Sequence, residues 1–270
     1  MVAPSVRQII TSGPSPGVDA TAFLARTTGL TTKERNAYIN LINRLVAAGF
    51  WTRFDALWIL ATGQSANANL NLVSTNFPLT PTNSPTFTAN VGYTGNGSNA
   101  RLATAYTPST NGVNFTQNSA AMGAYINNNR TSSNSSVIMG TGVPSSFAYI
   151  VPLETSNFKY DMNSATFPTV ANGGTAGLWT ATRTAASGAG ATAAYKNDSP
   201  SAITTTSATS AARSSFVLQL LCLNNNGTLG NFTSDTLSAA FVMNGLTGAE
   251  SAQLATIINR YMREIGANVF

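Results

Sequence analysis

Two stretches of the chain place apolar residues at helical intervals. The first follows Thr31 and runs to Gly49, and the second follows Thr247 and runs to Gly266. Both begin with a Thr-x-x-Glu capping box, completed by Glu34 in the first and Glu250 in the second, in which side chains satisfy the free amides of the first turn. The patterns predict two amphipathic helices. Their apolar stripes are Tyr38, Leu41, Ile42, Leu45 and Val46, and Leu254, Ile257, Ile258, Tyr261, Met262 and Ile265.

Shorter patterns surround the first helix. Phe50, Phe54, Leu57 and Trp58 lie three or four residues apart before Gly63, which predicts a second helix and hence a helical hairpin. Residues 19 to 28 add a candidate short helix with Asp19 as its cap. Residues 1 to 18 are rich in Pro and Gly, so they predict an extended arm that either orders against a partner or remains a frayed terminus. The chain thus divides into an arm (1–18), a helical lead-in (19–66) and a remainder (67–270).

Residues 67 to 245 alternate short apolar runs with clusters of Asn, Gly, Ser and Pro, a texture typical of all-β domains. The number and spacing of the runs predict a two-sheet sandwich. Residues 216 to 223 are apolar on both faces apart from Gln219, which predicts a central strand covered on both sides. Asn96 and Gly97 predict a tight hairpin turn between the segments around Tyr93 and Leu102. The candidate strands are 120–126, 137–140, 147–153, 158–162, 177–184, 191–196, 216–223 and 237–243.

The composition excludes more chemistry than it suggests. Only 9% of the residues are charged, histidine is absent and Cys222 is the single cysteine. Metal sites and nucleophilic triads draw mainly on His and Cys, so catalysis and bound cofactors are not expected. The net charge of +5 is scattered, and no apolar run approaches a signal peptide or a membrane span. We therefore expect no nucleic-acid partner and no membrane insertion.

A glycan-cleaving enzyme needs two carboxylates about 5 to 9 Å apart across a cleft. Glu154 and Asp161 lie on adjacent predicted strands and are the only candidates for facing each other, although no clustered acidic signature surrounds them. Asp198 and Asp235 can in principle contribute oxygen ligands to Ca²⁺. With so few acids, the prediction is that no metal is bound and that these carboxylates are solvated or cap loops.

Carbohydrate binding is more plausible, because lectin sites combine aromatic platforms with neutral hydrogen-bonding side chains. The aromatics predicted to contact sugar are Trp179, Tyr160 and Tyr195. Each can instead fill the core of the sandwich, and the sequence does not decide between the two roles.

Residues 49–72, GFWTRFDALWILATGQSANANLNL, and residues 84–104, SPTFTANVGYTGNGSNARLAT, carry a recognisable pattern. They resemble a family of bacteriophage and prophage virion proteins with a concanavalin A-like, laminin-G-like jelly roll. In that family a helical lead-in with a Gly-Phe/Ile-Trp…Asp-Ala-Leu pattern precedes an Asn-Leu strand and a Gly-Tyr-x-Gly-x-Gly-Ser turn. The ending, residues 241–270, also resembles the family's last strand and closing helix. The family-motif residues, expected to be structural, are Trp51, Asp55, Asn71, Tyr93, Gly95 and Gly97.

The resemblance implies a mainly β, concanavalin A-like jelly roll with an N-terminal helical hairpin and a C-terminal helix. It also implies a noncatalytic structural subunit of a virion, such as a tail fibre, capsid spike or decorating protein. The arm and helices would attach this homo-oligomeric subunit to other virion proteins, and assembly in the host cytoplasm with release by lysis would need no export signal. Two alternatives remain: a lectin-type receptor-binding protein for host surface polysaccharide, and a depolymerase using Glu154 or Asp161.

Overall fold

The computed structural model describes residues 13–131 and 134–270. Its helices are α1 (Val18–Leu24), α2 (Thr32–Ala47), α3 (Ser65–Ala68), α4 (Pro108–Asn111) and α5 (Gly248–Ile265), with a 3-10 turn at Trp51–Arg53. Its strands are β1 (Phe54–Ile59), β2 (Thr80–Thr82), β3 (Thr86–Thr88), β4 (Gly92–Thr94), β5 (Arg101–Ala103), β6 (Ala120–Ile126), β7 (Met139–Val143), β8 (Ser146–Glu154), β9 (Asn157–Ser164), β10 (Thr169–Ala171), β11 (Gly177–Arg183), β12 (Thr192–Lys196), β13 (Thr204–Thr206), β14 (Gln219–Leu220), β15 (Leu223–Asn225), β16 (Thr228–Gly230) and β17 (Thr236–Met243). None of the helices in these two ranges is long and apolar enough to cross a membrane.

The described strands form two sheets that face each other as a sandwich. The eight-stranded sheet has the order β13-β12-β11-β6-β17-β4-β3, and β1 pairs with the remaining part of the β17 edge. The nine-stranded sheet has the order β10-β9-β8-β7-β14-β5-β2, with β15 and β16 added beside β7. The pairings are antiparallel except for β7 with β15. The predicted mainly β sandwich is therefore confirmed.

The apolar side chains form three layers. One cluster fills the space between the two sheets and includes Trp58, Trp179 and Tyr160. A second lies between the outer face of the eight-stranded sheet and helices α1, α2 and α5. A small third cluster lies on the outer face of the nine-stranded sheet. Strand β1 shows how the layers connect, because Leu57 and Ile59 belong to the helix layer while Ala56 and Trp58 belong to the layer between the sheets.

The two long helices begin and end as predicted. Thr31 and Glu34 form a complete capping box at α2, and Thr247 and Glu250 do the same at α5. Gly266 ends α5 in the left-handed region with φ 89°, a conformation that glycine adopts without steric cost. Every residue of the predicted α5 stripe is buried, and Tyr261 contacts Tyr38 of α2 with ring centroids 5.2 Å apart.

The predicted second helix of the hairpin is wrong. Residues 51–53 form a 3-10 turn and residues 54–59 form β1, all six of whose residues are buried. A strand covered on both faces shows no alternation, so chance spacing of its large residues can imitate a helix. The N-terminal helical part consists instead of α1 and α2. Helix α1 is capped by Gly17, while Asp19 lies in its first turn.

Two further predictions need correction. Residues 216–223 contain the two-residue strand β14 and the start of β15, separated by Leu221 in the left-handed region, so no continuous central strand forms. The turn at Asn96 exists, and its side-chain oxygen accepts hydrogen bonds from the amides of Ser98, Asn99 and Ala100. However, β4 and β5, which flank the turn, belong to different sheets. The turn is therefore a crossing between sheets and not a hairpin.

The lead-in and the sandwich share one core, because β1 and the helices of residues 19–66 pack with α5 and the eight-stranded sheet. Of the predicted arm, residues 1–12 lie outside the described residues. Residues 15–17 lie against α2. There, Asn43 Nδ2 donates to the Ser15 carbonyl at 2.9 Å, and the Gly17 amide donates to Asn43 Oδ1 at 3.2 Å.

Candidate functional site

The outer face of the nine-stranded sheet carries a groove of about 200 Å³. Side chains of β8 alternate, so that Ala148 and Ile150 enter the core between the sheets while Phe147, Tyr149 and Val151 point outward. Phe167, in the loop that follows β9, lies against them. We call this site the outer groove, and its lining includes Phe147, Tyr149, Val151, Glu154, Lys159 and Phe167.

Three aromatic rings form one wall of the outer groove. Phe167 stacks on Tyr149 with centroids 6.1 Å apart and an interplanar angle of 14°. Phe147 lies 5.6 Å from Tyr149 and 6.0 Å from Phe167 between centroids. Phe147 and Tyr149 are buried, whereas Phe167 is 41% exposed. The Phe167 ring is therefore held by its contact with the Tyr149 ring, and part of its surface is exposed to solvent.

An ion pair lies beside these rings. Lys159 Nζ is 3.0 Å from Glu154 Oε2 and 5.4 Å from the centroid of the Phe167 ring. Burial acts to raise the pKa of Glu154, but hydrogen bonds from Ser135 and Lys159 and the charge of Lys159 lower it on balance below its ordinary value. Glu154 is thus an ionised hydrogen-bond acceptor at neutral pH.

Asp161 lies on the same face of the sheet but is buried. It opposes Tyr149 in the register of β8 and β9, is 1% exposed, and accepts a hydrogen bond at 2.5 Å from Ser164 Oγ on its Oδ1. Its buried Oδ2 has no hydrogen-bond partner among the described residues. Burial raises the pKa of Asp161 to about 8, against the lowering effect of the Ser164 hydrogen bond.

The two predicted carboxylates do not face each other. Glu154 opposes Asn157 near the turn between β8 and β9, while Asp161 opposes Tyr149 further along the pair. Glu154 lines the outer groove and Asp161 does not. A sugar in the groove would therefore meet one carboxylate, and that one is already paired with Lys159.

The aromatics predicted to bind sugar lie inside the protein. Trp179 and Tyr160 are 1% and 0% exposed and belong to the core between the sheets. Trp179 stacks on Phe158 with centroids 4.5 Å apart, and its Nε1 donates to the Thr175 carbonyl at 2.8 Å. Tyr195 is 8% exposed, and its ring lies against Gly248 at the start of α5. A ring covered by protein cannot stack on a sugar, so these positions favour the core-filling role for all three.

The two acids predicted as possible Ca²⁺ ligands, Asp198 and Asp235, lie in different environments. Asp198 is exposed, whereas Asp235 is buried and forms two hydrogen bonds of 3.0 Å with the guanidinium of Arg130. Thr233 Oγ1 also donates to Asp235 at 2.9 Å. Within the two described ranges, no group of three or more acidic or Cys side chains is placed to hold a metal ion.

The family-motif residues fasten β1 to neighbouring loops. Asp55 accepts hydrogen bonds from Tyr106 Oη at 2.8 Å and from the amides of Asn114 and Phe115 at 2.8 and 3.0 Å. Asn71 Oδ1 accepts from the Leu57 amide at 3.0 Å. These are internal bonds of the fold, not ligand contacts.

The remaining motif residues also have local structural environments. Trp51 packs against the helix layer, and Tyr93 Oη donates to Asn69 Oδ1 at 3.0 Å. A Cβ on Gly95 would lie 2.0 Å from the Thr233 carbonyl oxygen, so only glycine fits there. Gly97 supplies a positive φ of 71° in the turn between the sheets.

The sequence pattern does not single out Tyr149 and Phe167 as residues of a binding site, although both line the outer groove. The alternation of residues 147–151 does predict one outward face with Phe147 and Tyr149 on it. Phe167 had no such signal, because it lies in a loop and only its spatial position beside Tyr149 makes it notable.

Comparison with solved structures agrees with a sandwich fold. A mutant of Trypanosoma rangeli sialidase displaying trans-sialidase activity aligns with a TM-score of 0.52 at 10% identity, covering 85% of this chain and 38% of that one. Domain 4 of a GH43 extracellular arabinanase from Geobacillus stearothermophilus, solved with arabinotriose, aligns with a TM-score of 0.48 at 12% identity, covering 75% of this chain and 98% of that one. No family model matches the sequence. No curated protein matches it significantly. At 10% identity and a TM-score of 0.52, the likeness to the sialidase concerns the fold alone.

Proposed function

We propose that the protein is a noncatalytic structural subunit of a phage or phage-like particle, and that its outer groove binds carbohydrate on the host surface. The observation that carries this proposal is the exposed Phe167 ring stacked on Tyr149 beside the Lys159–Glu154 pair. Sugar sites combine an apolar ring face, on which the C–H groups of the pyranose pack, with polar groups that receive the hydroxyls. The outer groove offers both within one wall.

The distribution of the layers gives the molecule two different faces. Helices α1, α2 and α5 cover the eight-stranded sheet, whereas the outer groove lies on the opposite sheet. The described end of the arm lies on the helix side, where Asn43 of α2 forms hydrogen bonds with Ser15 and Gly17. Attachment through the arm and helices would leave the outer groove turned away from the particle, as host recognition requires.

The environment of the acids supports a noncatalytic role. Hydrolysis of a glycoside needs two carboxyl groups that both reach the scissile bond. Glu154 is paired with Lys159, and Asp161 is 1% exposed, so it cannot contact a substrate without rearrangement. A polysaccharide incubated with the purified protein should keep its chain length, and release of oligosaccharides would contradict this part of the proposal.

The structural role is tested on particles. Proteomic analysis of particles purified by density gradient should find the protein at a copy number that is a multiple of the order of a symmetry axis of the particle. Its absence from intact particles, together with a free pool in the host lysate, would refute the virion assignment.

Glycan recognition is tested on an array of bacterial surface polysaccharides. Wild-type protein should bind a subset of them, and Phe167→Ala should reduce that signal by at least about tenfold. Phe87→Ala is the matched control, because Phe87 is a partly buried phenylalanine in β3 of the other sheet. Equal binding by the wild type and Phe167→Ala would show that the outer groove is not the site.

A further inference from the structure

A second, larger pocket of about 580 Å³ lies near one end of the sandwich. It is formed by the residues after β6, the loop between β10 and β11, and the end of β12. The residues that matter are Asn127, Asn129, Asn172, Gly173, Gly174 and Lys196. None of them lines the outer groove, and the volume is in the range of small-molecule sites.

Lys196 gives the pocket its charge. Its ammonium group lies 4.3 Å from the centroid of the Trp179 ring and 3.5 Å from Asn172 Oδ1. Burial lowers the pKa of Lys196, and among the described residues no carboxylate lies within ion-pair distance of it. An ammonium carries three donors, and a partly desolvated one with a single long hydrogen bond gains from an anionic acceptor.

The amides around Lys196 are oriented by the backbone. Asn172 Nδ2 donates to the carbonyls of Pro152 and Gly174 at 2.6 and 2.7 Å, which turns Oδ1 toward Lys196. Asn127 Nδ2 donates to the Ala267 carbonyl at 2.7 Å. A Cβ on Gly174 would lie 2.1 Å from Asn129 Oδ1, so glycine allows this loop to approach Asn129.

The described lining thus combines one cation, several neutral amides and no carboxylate. Amide groups both donate to and accept from hydroxyls, while the lysine selects for negative charge. We propose that this pocket binds an acidic sugar unit of the uronic acid type, with the carboxylate on Lys196 and the ring hydroxyls on the Asn side chains. The assignment is independent of the outer groove and of the role in a particle.

Sodium glucuronate and glucose are matched probes, because they differ only at C6, where glucuronate carries a carboxylate and glucose a hydroxymethyl group. Titration of the purified full chain by heteronuclear NMR should show glucuronate binding, with glucose weaker by at least about tenfold. The shifted resonances should include the side-chain amides of Asn129 and Asn172. Equal affinity for both sugars, absence of glucuronate binding, or inorganic phosphate binding as tightly as glucuronate would overturn the proposal.

Two variants and a control tie the binding to this pocket. Lys196→Gln should weaken glucuronate by about tenfold or more. Gly173→Phe adds a ring to the pocket lining and should also weaken glucuronate binding; its Cβ would meet no atom within 4 Å. Lys33→Gln, which removes an exposed lysine on α2, should bind as the wild type does. Wild-type affinity in both pocket variants would overturn the assignment, whereas Phe167→Ala should leave glucuronate binding unchanged even if the outer groove fails its own test.

Discussion

Asp161→Asn is expected to stabilise the protein, and to do so more strongly as the pH rises. Burial raises the pKa of Asp161 from an ordinary 3.8 to about 8. At about 1.4 kcal/mol per pH unit, this corresponds to an upper limit of about 6 kcal/mol against the ionised form in the folded protein. Relaxation and water penetration reduce such penalties, so we expect a gain of about 2 to 4 kcal/mol under alkaline conditions.

The sign follows from proton linkage. The folded protein keeps the Asp161 proton to higher pH than the unfolded chain does, so the unfolded chain ionises first. The wild type therefore loses stability as the pH rises from about 4 to about 8. An asparagine is neutral at every pH and can still accept the hydrogen bond from Ser164, so the variant avoids this loss.

Urea unfolding followed by tryptophan fluorescence measures the effect. The difference between Asp161→Asn and the wild type should be small at about pH 4 and should reach its full size near pH 9. Asp198→Asn, which changes an exposed carboxylate, is the control and should alter stability by less than about 0.5 kcal/mol at either pH. A stability difference that is independent of pH, or a variant that is destabilised at high pH, would refute the reasoning.

Three further substitutions test the internal contacts by the same unfolding assay. Asp235→Asn breaks the buried pair with Arg130 and should cost about 3 to 5 kcal/mol; a cost below about 1 kcal/mol would mean that the pair is not formed. Asp55→Ala removes the acceptor of three hydrogen bonds and should cost at least about 2 kcal/mol, whereas a neutral effect would contradict its fastening role. Gly95→Ala should cost about 2 kcal/mol or more, because its Cβ would lie 2.0 Å from the Thr233 carbonyl oxygen, and an unchanged urea midpoint would show that this turn can move apart.

Local signals predicted α2 and α5 well. A capping box and a terminal glycine involve residues within one or two turns of each other, so Thr31, Glu34 and Gly266 could be identified from sequence alone. Strand β1 could not be recognised in this way. Its burial comes from the helix layer on one side and the opposite sheet on the other, and no pattern within the strand itself shows that both of its faces are covered.

The candidate site shows the same limit. The alternation of β8 indicates that Phe147 and Tyr149 share a face, but not whether that face is open. The exposure of Phe167 depends on how the loop after β9 folds back over Tyr149. Conversely, the sequence allows Trp179 to contact sugar, but in the structure its ring is covered by Phe158 and the opposite sheet. Spatial neighbours, which no local pattern encodes, decided each case.

The most direct test of the central claim is an experimental structure of the protein with an oligosaccharide selected from the polysaccharide array. We predict a sugar ring packed on Phe167, with its hydroxyls within hydrogen-bond distance of Lys159 and Glu154. An oligosaccharide bound elsewhere, with the outer groove empty at a saturating concentration of ligand, would contradict the account.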